Sequence, residues 1–139
     1  MTGNLIHAGC VSLHGVGIII TGDSGSGKSS LAAELMVNGA QLVADDQLLL
    51  SSLDGFLYGR APQTIKGKME LFGFGVIDVP SCVLDSAQIA LALHCVPDQT
   101  PQRMPQEASV MYVGIAIPIF QVDPFHPSTL AKVLLFSQT

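Results

Sequence analysis

Residues 22–29, Gly-Asp-Ser-Gly-Ser-Gly-Lys-Ser, satisfy the pattern G-x-x-x-x-G-K-[ST] at every fixed position. Upstream, Val16-Gly17-Ile18-Ile19-Ile20-Thr21 is a β-branched run that predicts a buried strand. Downstream, Ser29-Ser30-Leu31-Ala32-Ala33-Glu34-Leu35-Met36 predicts a helix stopped by Asn38-Gly39. A strand entering a helix through such a loop restricts the chain to the α/β class. The expected architecture is a phosphate-loop domain on a mostly parallel or mixed sheet, with its ligand at the carboxyl ends of the strands.

The residue types follow from the chemistry. Glycines let successive backbone N–H groups turn inward around phosphate oxygens where a Cβ would obstruct them. The following helix points its positive end at the same anion. Gly22, Asp23, Ser24, Gly25, Ser26, Gly27, Lys28, Ser29 and Ser30 are therefore the candidate nucleotide-binding residues. Lys28 would reach the β and γ phosphates of ATP, and the Ser29 hydroxyl would take one place around Mg²⁺.

The second acidic element follows at the distance of one helix. Gln41-Leu42-Val43-Ala44 predicts a short strand, and Asp45-Asp46 at its end has the layout of a Walker B segment. Paired aspartates at a strand end also suit a turn, but behind a phosphate loop one of them is expected to hold Mg²⁺, directly or through water; Asp45 is a metal candidate, and Asp45 and Asp46 both enter the catalytic set.

Charge narrows the partners. Six Lys and Arg stand against eleven Asp and Glu, a net charge of −5, and the cations are scattered. That distribution argues against nucleic acid, and it makes Lys28 the main group for neutralising phosphate. The 139 residues suit one domain, 1–139; being 48% hydrophobic and only 12% charged, it is expected to cover its surface by oligomerisation or partner contact. The odd set Cys10, Cys82 and Cys95 has no C-x-x-C pair, as expected of small buried thiols in a reducing compartment. No segment reads as a membrane span or signal peptide, so a cytoplasmic location without membrane contact is expected.

Elsewhere, Leu5 to Val16 predicts one or two strands, with His7 and His14 among them. Asp54-Gly55 predicts a hairpin between Gln47–Ser52 and Phe56–Tyr58. Lys66 to Val79 mixes charge with closely spaced glycines and ends in a strand. Ile89–Val96 and Val110–Ile117 each predict one buried strand, and Pro97 to Glu107 a surface loop. Asp123-Pro124-Phe125-His126-Pro127-Ser128 predicts a turn and helix start, followed by a helix over Thr129–Phe136.

Together these residues resemble the catalytic domain of bacterial HPr kinase/phosphorylase, in the short form that lacks an N-terminal domain. The resemblance rests on residues 22–29, on Gly39 with Leu42-Val43-Ala44-Asp45-Asp46, on Gly59-Arg60-Ala61-Pro62, and on Glu70 before Gly73-Phe74-Gly75-Val76-Ile77. It implies the HPr kinase/phosphoenolpyruvate carboxykinase fold, ATP and Mg²⁺ as cofactors, and a regulatory serine on the phosphocarrier HPr as acceptor, in many members with the reverse reaction as well. It further implies Asp46 as the base, Ser29 and Glu70 near the metal, His7 as a supporting catalytic residue, and a hexamer. Two positions depart from the family: Phe72 and Ile119 stand where arginines are usual. They motivate a rival expectation, a nucleotide-binding regulatory module with weakened transfer; a kinase for a small metabolite is a third.

Overall fold

The computed structural model describes residues 4–79, 83–98 and 103–138. Its strands in chain order are β1 (Asn4–Ile6), β2 (Gly9–Leu13), β3 (Val16–Thr21), β4 (Gln41–Ala44), β5 (Leu48–Leu53), β6 (Phe56–Arg60), β7 (Lys68–Leu71), β8 (Gly75–Asp78), β9 (Ala87–Cys95), β10 (Ser109–Tyr112) and β11 (Ile115–Val122). Two helices complete it, α1 (Lys28–Val37) between β3 and β4, and α2 (Thr129–Phe136) after β11. The helix predicted after the glycine loop stops where its sequence says. The Ala40 and Gly39 N–H groups return to the carbonyls of Leu35 and Met36, with Gly39 at φ +105°, which closes the last turn as a glycine C-cap.

The large sheet runs β1-β5-β6-β9-β3-β2-β4. β3 lies parallel to β9, and β9 parallel to β11. The other pairs are antiparallel, so the mixed alternative describes the sheet and the mostly parallel one does not. β9 forks: residues 87–89 pair with β6, while residues 92–95 pair with β11. Between these stretches the β3–β9 register slips, with Gly17 opposite Ile89 but Ile18 opposite Leu91. This bulge lets Ile89 point into one core while Leu91 and Leu93 point into the other.

Val110–Ile117 does not form one buried strand. Val113 and Gly114 adopt φ +51° and +78° and split the run into the β10–β11 hairpin. Val is disfavoured in that region, so the turn signal there is Gly114 alone. The Asp54-Gly55 hairpin forms as expected, with φ +54° and +83°. Glycines 73 and 75 belong to a separate two-stranded ribbon, β7–β8.

Both sheet faces are buried. On one, Ile18 and Ile20 of β3 meet Leu31 and Leu35 of α1, Val133 of α2 and Met69 of β7. On the other, Ile19 packs with Cys10, Val43, Leu48, Leu50, Leu57 and Ala92. Each fully buried Ile or Leu contributes about 1.5–3 kcal/mol relative to an exposed one. The strand that delivers the glycine loop is thus fixed from both sides. Cys10 and Cys95 are buried free thiols, as expected; Cys82 and part of the Pro97–Glu107 loop lie outside the described residues.

Candidate phosphate-binding site

β3 delivers Thr21 to the sheet edge, where its hydroxyl oxygen lies 2.8 Å from Nδ1 of His94 at the end of β9. The chain then turns through residues 22–27 into α1. Ser26 N–H donates to the Asp23 carbonyl at 3.0 Å, and the Lys28 ammonium arches back to donate to the Gly22 carbonyl at 2.7 Å. Gly25 and Gly27 adopt φ +80° and +97°. At Gly27 a Cβ would stand 2.6 Å from Cγ of Pro124 and 2.9 Å from Cζ of Phe125. Gly27 therefore meets two demands, a left-handed turn and contact with the segment after β11.

Asp23, Ser24 and Gly25 face solvent, and Ser30 is exposed on the first turn of α1. Ser26 is only 5% exposed, and its hydroxyl makes no hydrogen bond among the described residues. A buried orphan hydroxyl inside this glycine-rich turn fits a loop shaped for phosphate.

β4 sets the acidic pair beside this loop. One Asp45 oxygen accepts from the Ser29 hydroxyl at 2.9 Å, and the other accepts from the Glu70 backbone N–H at 2.8 Å. One carboxylate thus links the start of α1 to β7. Along β7, Met69 points into the core and Glu70 into solvent, the alternation expected of a strand. The donor set suits Mg²⁺ arriving with phosphate, since that ion takes one or two protein ligands and keeps several waters. Among the described residues no group of three or more His, Cys, Asp or Glu side chains gathers to hold a metal by itself.

Asp46 is exposed and adopts φ +70°. A non-glycine residue held in the left-handed region costs of order 1 kcal/mol, and such strain concentrates at functional sites. Its carbonyl accepts from Ala8 N–H at 3.1 Å, which brings the segment carrying exposed His7 against the acidic pair. The structure therefore gathers Lys28, Ser29, Asp45, Asp46 and Glu70 at one end of the sheet, with the His7 backbone one residue from the contact.

Phe72 is fully exposed beyond β7, and Ile119 is half-buried in β11. Lys66 pairs with Asp85, and Lys68 pairs with Asp78 at 3.0 Å. Both ammonium groups thus have carboxylate partners. Burial pushes the Cys95 thiol up to about 11, and Lys28 nearby only partly offsets this, so the thiol stays neutral beside the loop.

Four residues that the sequence did not single out complete the site. Thr21 and His94 join the ends of β3 and β9, and His94 also borders a depression over the loop, lined by Asp23, Ser24, Ser26 and Pro97. Asp123 and Phe125 stand at the end of β11. Their one available signal was the Asp123-Pro124-Phe125 turn itself.

The family model described as HPr Serine kinase C-terminal domain matches residues 2–133. An HPr kinase/phosphorylase from Clostridium tetani is 43% identical over 94 residues, covering 64% of this chain and 31% of that protein. Its counterpart from Limosilactobacillus reuteri is 37% identical over 139 residues, covering 93% of this chain and 43% of that protein. The chain thus spans about a third to two fifths of the length of these curated relatives. Among solved structures, the Hpr(Ser) kinase/phosphatase from Coxiella burnetii superposes with a TM-score of 0.85 at 26% identity, covering 97% of this chain and 95% of that one.

Proposed function

This chain belongs to the HPr serine kinase C-terminal domain family, and we propose that it binds ATP with Mg²⁺ at residues 22–30 and transfers the γ-phosphoryl group to a serine of HPr. The observation that carries this reading is the bridging carboxylate of Asp45. It touches the Ser29 hydroxyl and the Glu70 amide at once, while the adjacent Asp46 projects from a strained, exposed position.

The division of labour follows from these positions. The loop amides, the Ser26 hydroxyl and the Lys28 ammonium bind the phosphate chain. Ser29 and Asp45 would hold Mg²⁺, which when bound would supply charge neutralisation on the transferring phosphate. Asp46 accepts the proton of the acceptor serine as its oxygen bonds to the γ-phosphorus and the bond to the leaving ADP oxygen breaks. Glu70, held by its backbone next to Asp45, adds negative charge on the metal side. His7, carried in beside Asp46, orients the acceptor. Positioning and charge supply most of the rate, as in phosphoryl transfer generally.

The exposed Phe72, the half-buried Ile119 and the occupied Lys66 and Lys68 support a second reading, a module that binds nucleotide but transfers poorly. An arginine that contacts the transferring phosphate is worth about 10³–10⁵ in rate.

Purified chain, HPr, ATP and Mg²⁺ separate the two. The kinase reading expects phosphoserine on HPr and its loss, by at least about 10²-fold, in Asp46→Asn, with ATP binding retained. Nucleotide binding without transfer in the unaltered chain selects the module. Turnover confined to a low-molecular-weight acceptor selects a metabolite kinase.

A further inference from the structure

The parallel strands β3, β9 and β11 bring their carboxyl ends to one edge of the sheet, with Thr21 opposite His94 and Val122 opposite Cys95. In open α/β sheets this edge is where a ligand lies. The loop after β3 holds the phosphates in the reading above, on which this inference rests. The segment after β11 stands beside that loop and takes no part in the transfer proposed above.

Asp123 makes that segment rigid. One of its oxygens accepts from Asp98 N–H at 3.1 Å and the other from Phe125 N–H at 2.9 Å. Its carbonyl accepts from the Thr129 hydroxyl at 2.6 Å, and Val96 N–H reaches the Val122 carbonyl at 2.8 Å. The clamp seats buried Pro124 and the Phe125 ring edge against Gly27, the last glycine of the phosphate loop. Yet Phe125 remains 60% exposed. A phenyl ring pinned by its backbone, braced at its tip on the loop and open over most of its surface, is a preformed stacking surface within reach of whatever the phosphates carry.

We propose that Phe125 is the platform for the base of the bound nucleotide, a purine nucleoside triphosphate, with Asp123 as its positioning residue. Stacking recognises a π-face and area rather than a hydrogen-bonding edge. Adenine and guanine nucleotides should therefore bind with affinities within a few-fold of each other.

The test is titration calorimetry of the full chain with ATP, GTP and inorganic tripolyphosphate, each with Mg²⁺, repeated on Phe125→Ala and Phe125→Tyr. The expected result is tenfold or greater weakening of both nucleotides in Phe125→Ala, tripolyphosphate changed by less than twofold, and near-normal binding in Phe125→Tyr. Because the chain has no tryptophan, a 2-aminopurine riboside triphosphate gives a second readout: its fluorescence should be quenched on binding to the unaltered chain and not to Phe125→Ala.

Equal losses for nucleotides and tripolyphosphate would make Phe125 a support for the loop and overturn the proposal. Unchanged nucleotide binding in Phe125→Ala, or tripolyphosphate binding as tightly as ATP to the unaltered chain, would overturn it while leaving the phosphate site standing. If neither ATP nor tripolyphosphate binds the unaltered chain, the phosphate site fails, and this inference with it.

Discussion

Gly17 offers a quantitative test of how the phosphate loop is held in place. At the β3–β9 bulge, an added Cβ would lie 2.4 Å from the Gln88 carbonyl oxygen and 3.0 Å from both Gln88 C and Ile89 Cα. All three atoms are backbone, so no rotamer change relieves the overlap and the strands must part by roughly an ångström. Overpacking of a core typically costs about 1–3 kcal/mol, and the absence of a flexible neighbour puts Gly17→Ala near the upper end. Less the gain of about 0.4–1 kcal/mol from restricting the unfolded chain, and at about 3–4 °C per kcal/mol for a domain of this size, the melting temperature should fall by about 6–10 °C.

Gly59→Ala is the control. Its Cβ would meet Ile89 Cδ1 at 2.7 Å and Leu48 Cδ1 at 3.0 Å, terminal methyls that can rotate. Removing a glycine also restricts the unfolded chain, a gain of about 0.4–1 kcal/mol. The net change should stay within about 1 kcal/mol, or about 3 °C. Thermal unfolding followed by far-UV circular dichroism compares the two. If Gly17→Ala melts no lower than Gly59→Ala, the close backbone approach at the bulge is not what demands glycine there.

Two further expectations concern the site and the core. In a double-mutant cycle on unfolding free energy, Ser29→Ala and Asp45→Ala should couple by about 0.5–1.5 kcal/mol without nucleotide; strict additivity would remove the bond between them from the account. The buried Cys10 thiol is pushed up from 9.0 to about 12 by burial, so above pH 9 the unfolded chain releases this proton while the folded one keeps it. Stability should therefore fall as pH rises from 9 towards 12, by up to about 1.4 kcal/mol per pH unit from this group. Cys10→Ala should flatten that slope by the same amount in urea titrations at pH 8 and 10.5.

The legible parts of this chain are those encoded within a few residues. The loop at 22–29 is read from contiguous spacing, the helix stop from Asn38-Gly39, and the β5–β6 hairpin from Asp54-Gly55. Asp45 was legible for the same reason, lying one strand beyond one helix. Illegible were contacts between distant segments: the Glu70 amide on Asp45, the Asp123 carboxylate on Asp98, and the parallel pairing of β9 with β11. A backbone amide as partner leaves no trace in residue type. The turn at Val113 was hidden because tertiary pairing of β10 with β11 holds a β-branched residue where local preference disfavours it.

The fork in β9 has a consequence for how this domain tolerates change in length. Two wings, one through β6 and one through β11, hang from the same strand without being hydrogen-bonded to each other. One residue gained or lost within Ala87–Cys95 would turn side chains from one core towards the other and slide Thr21 off His94. The same change at the tip of the β7–β8 ribbon, where Phe72 and Phe74 stand in solvent, would leave both wings in register, so insertions and deletions should spare β9 and collect at such tips.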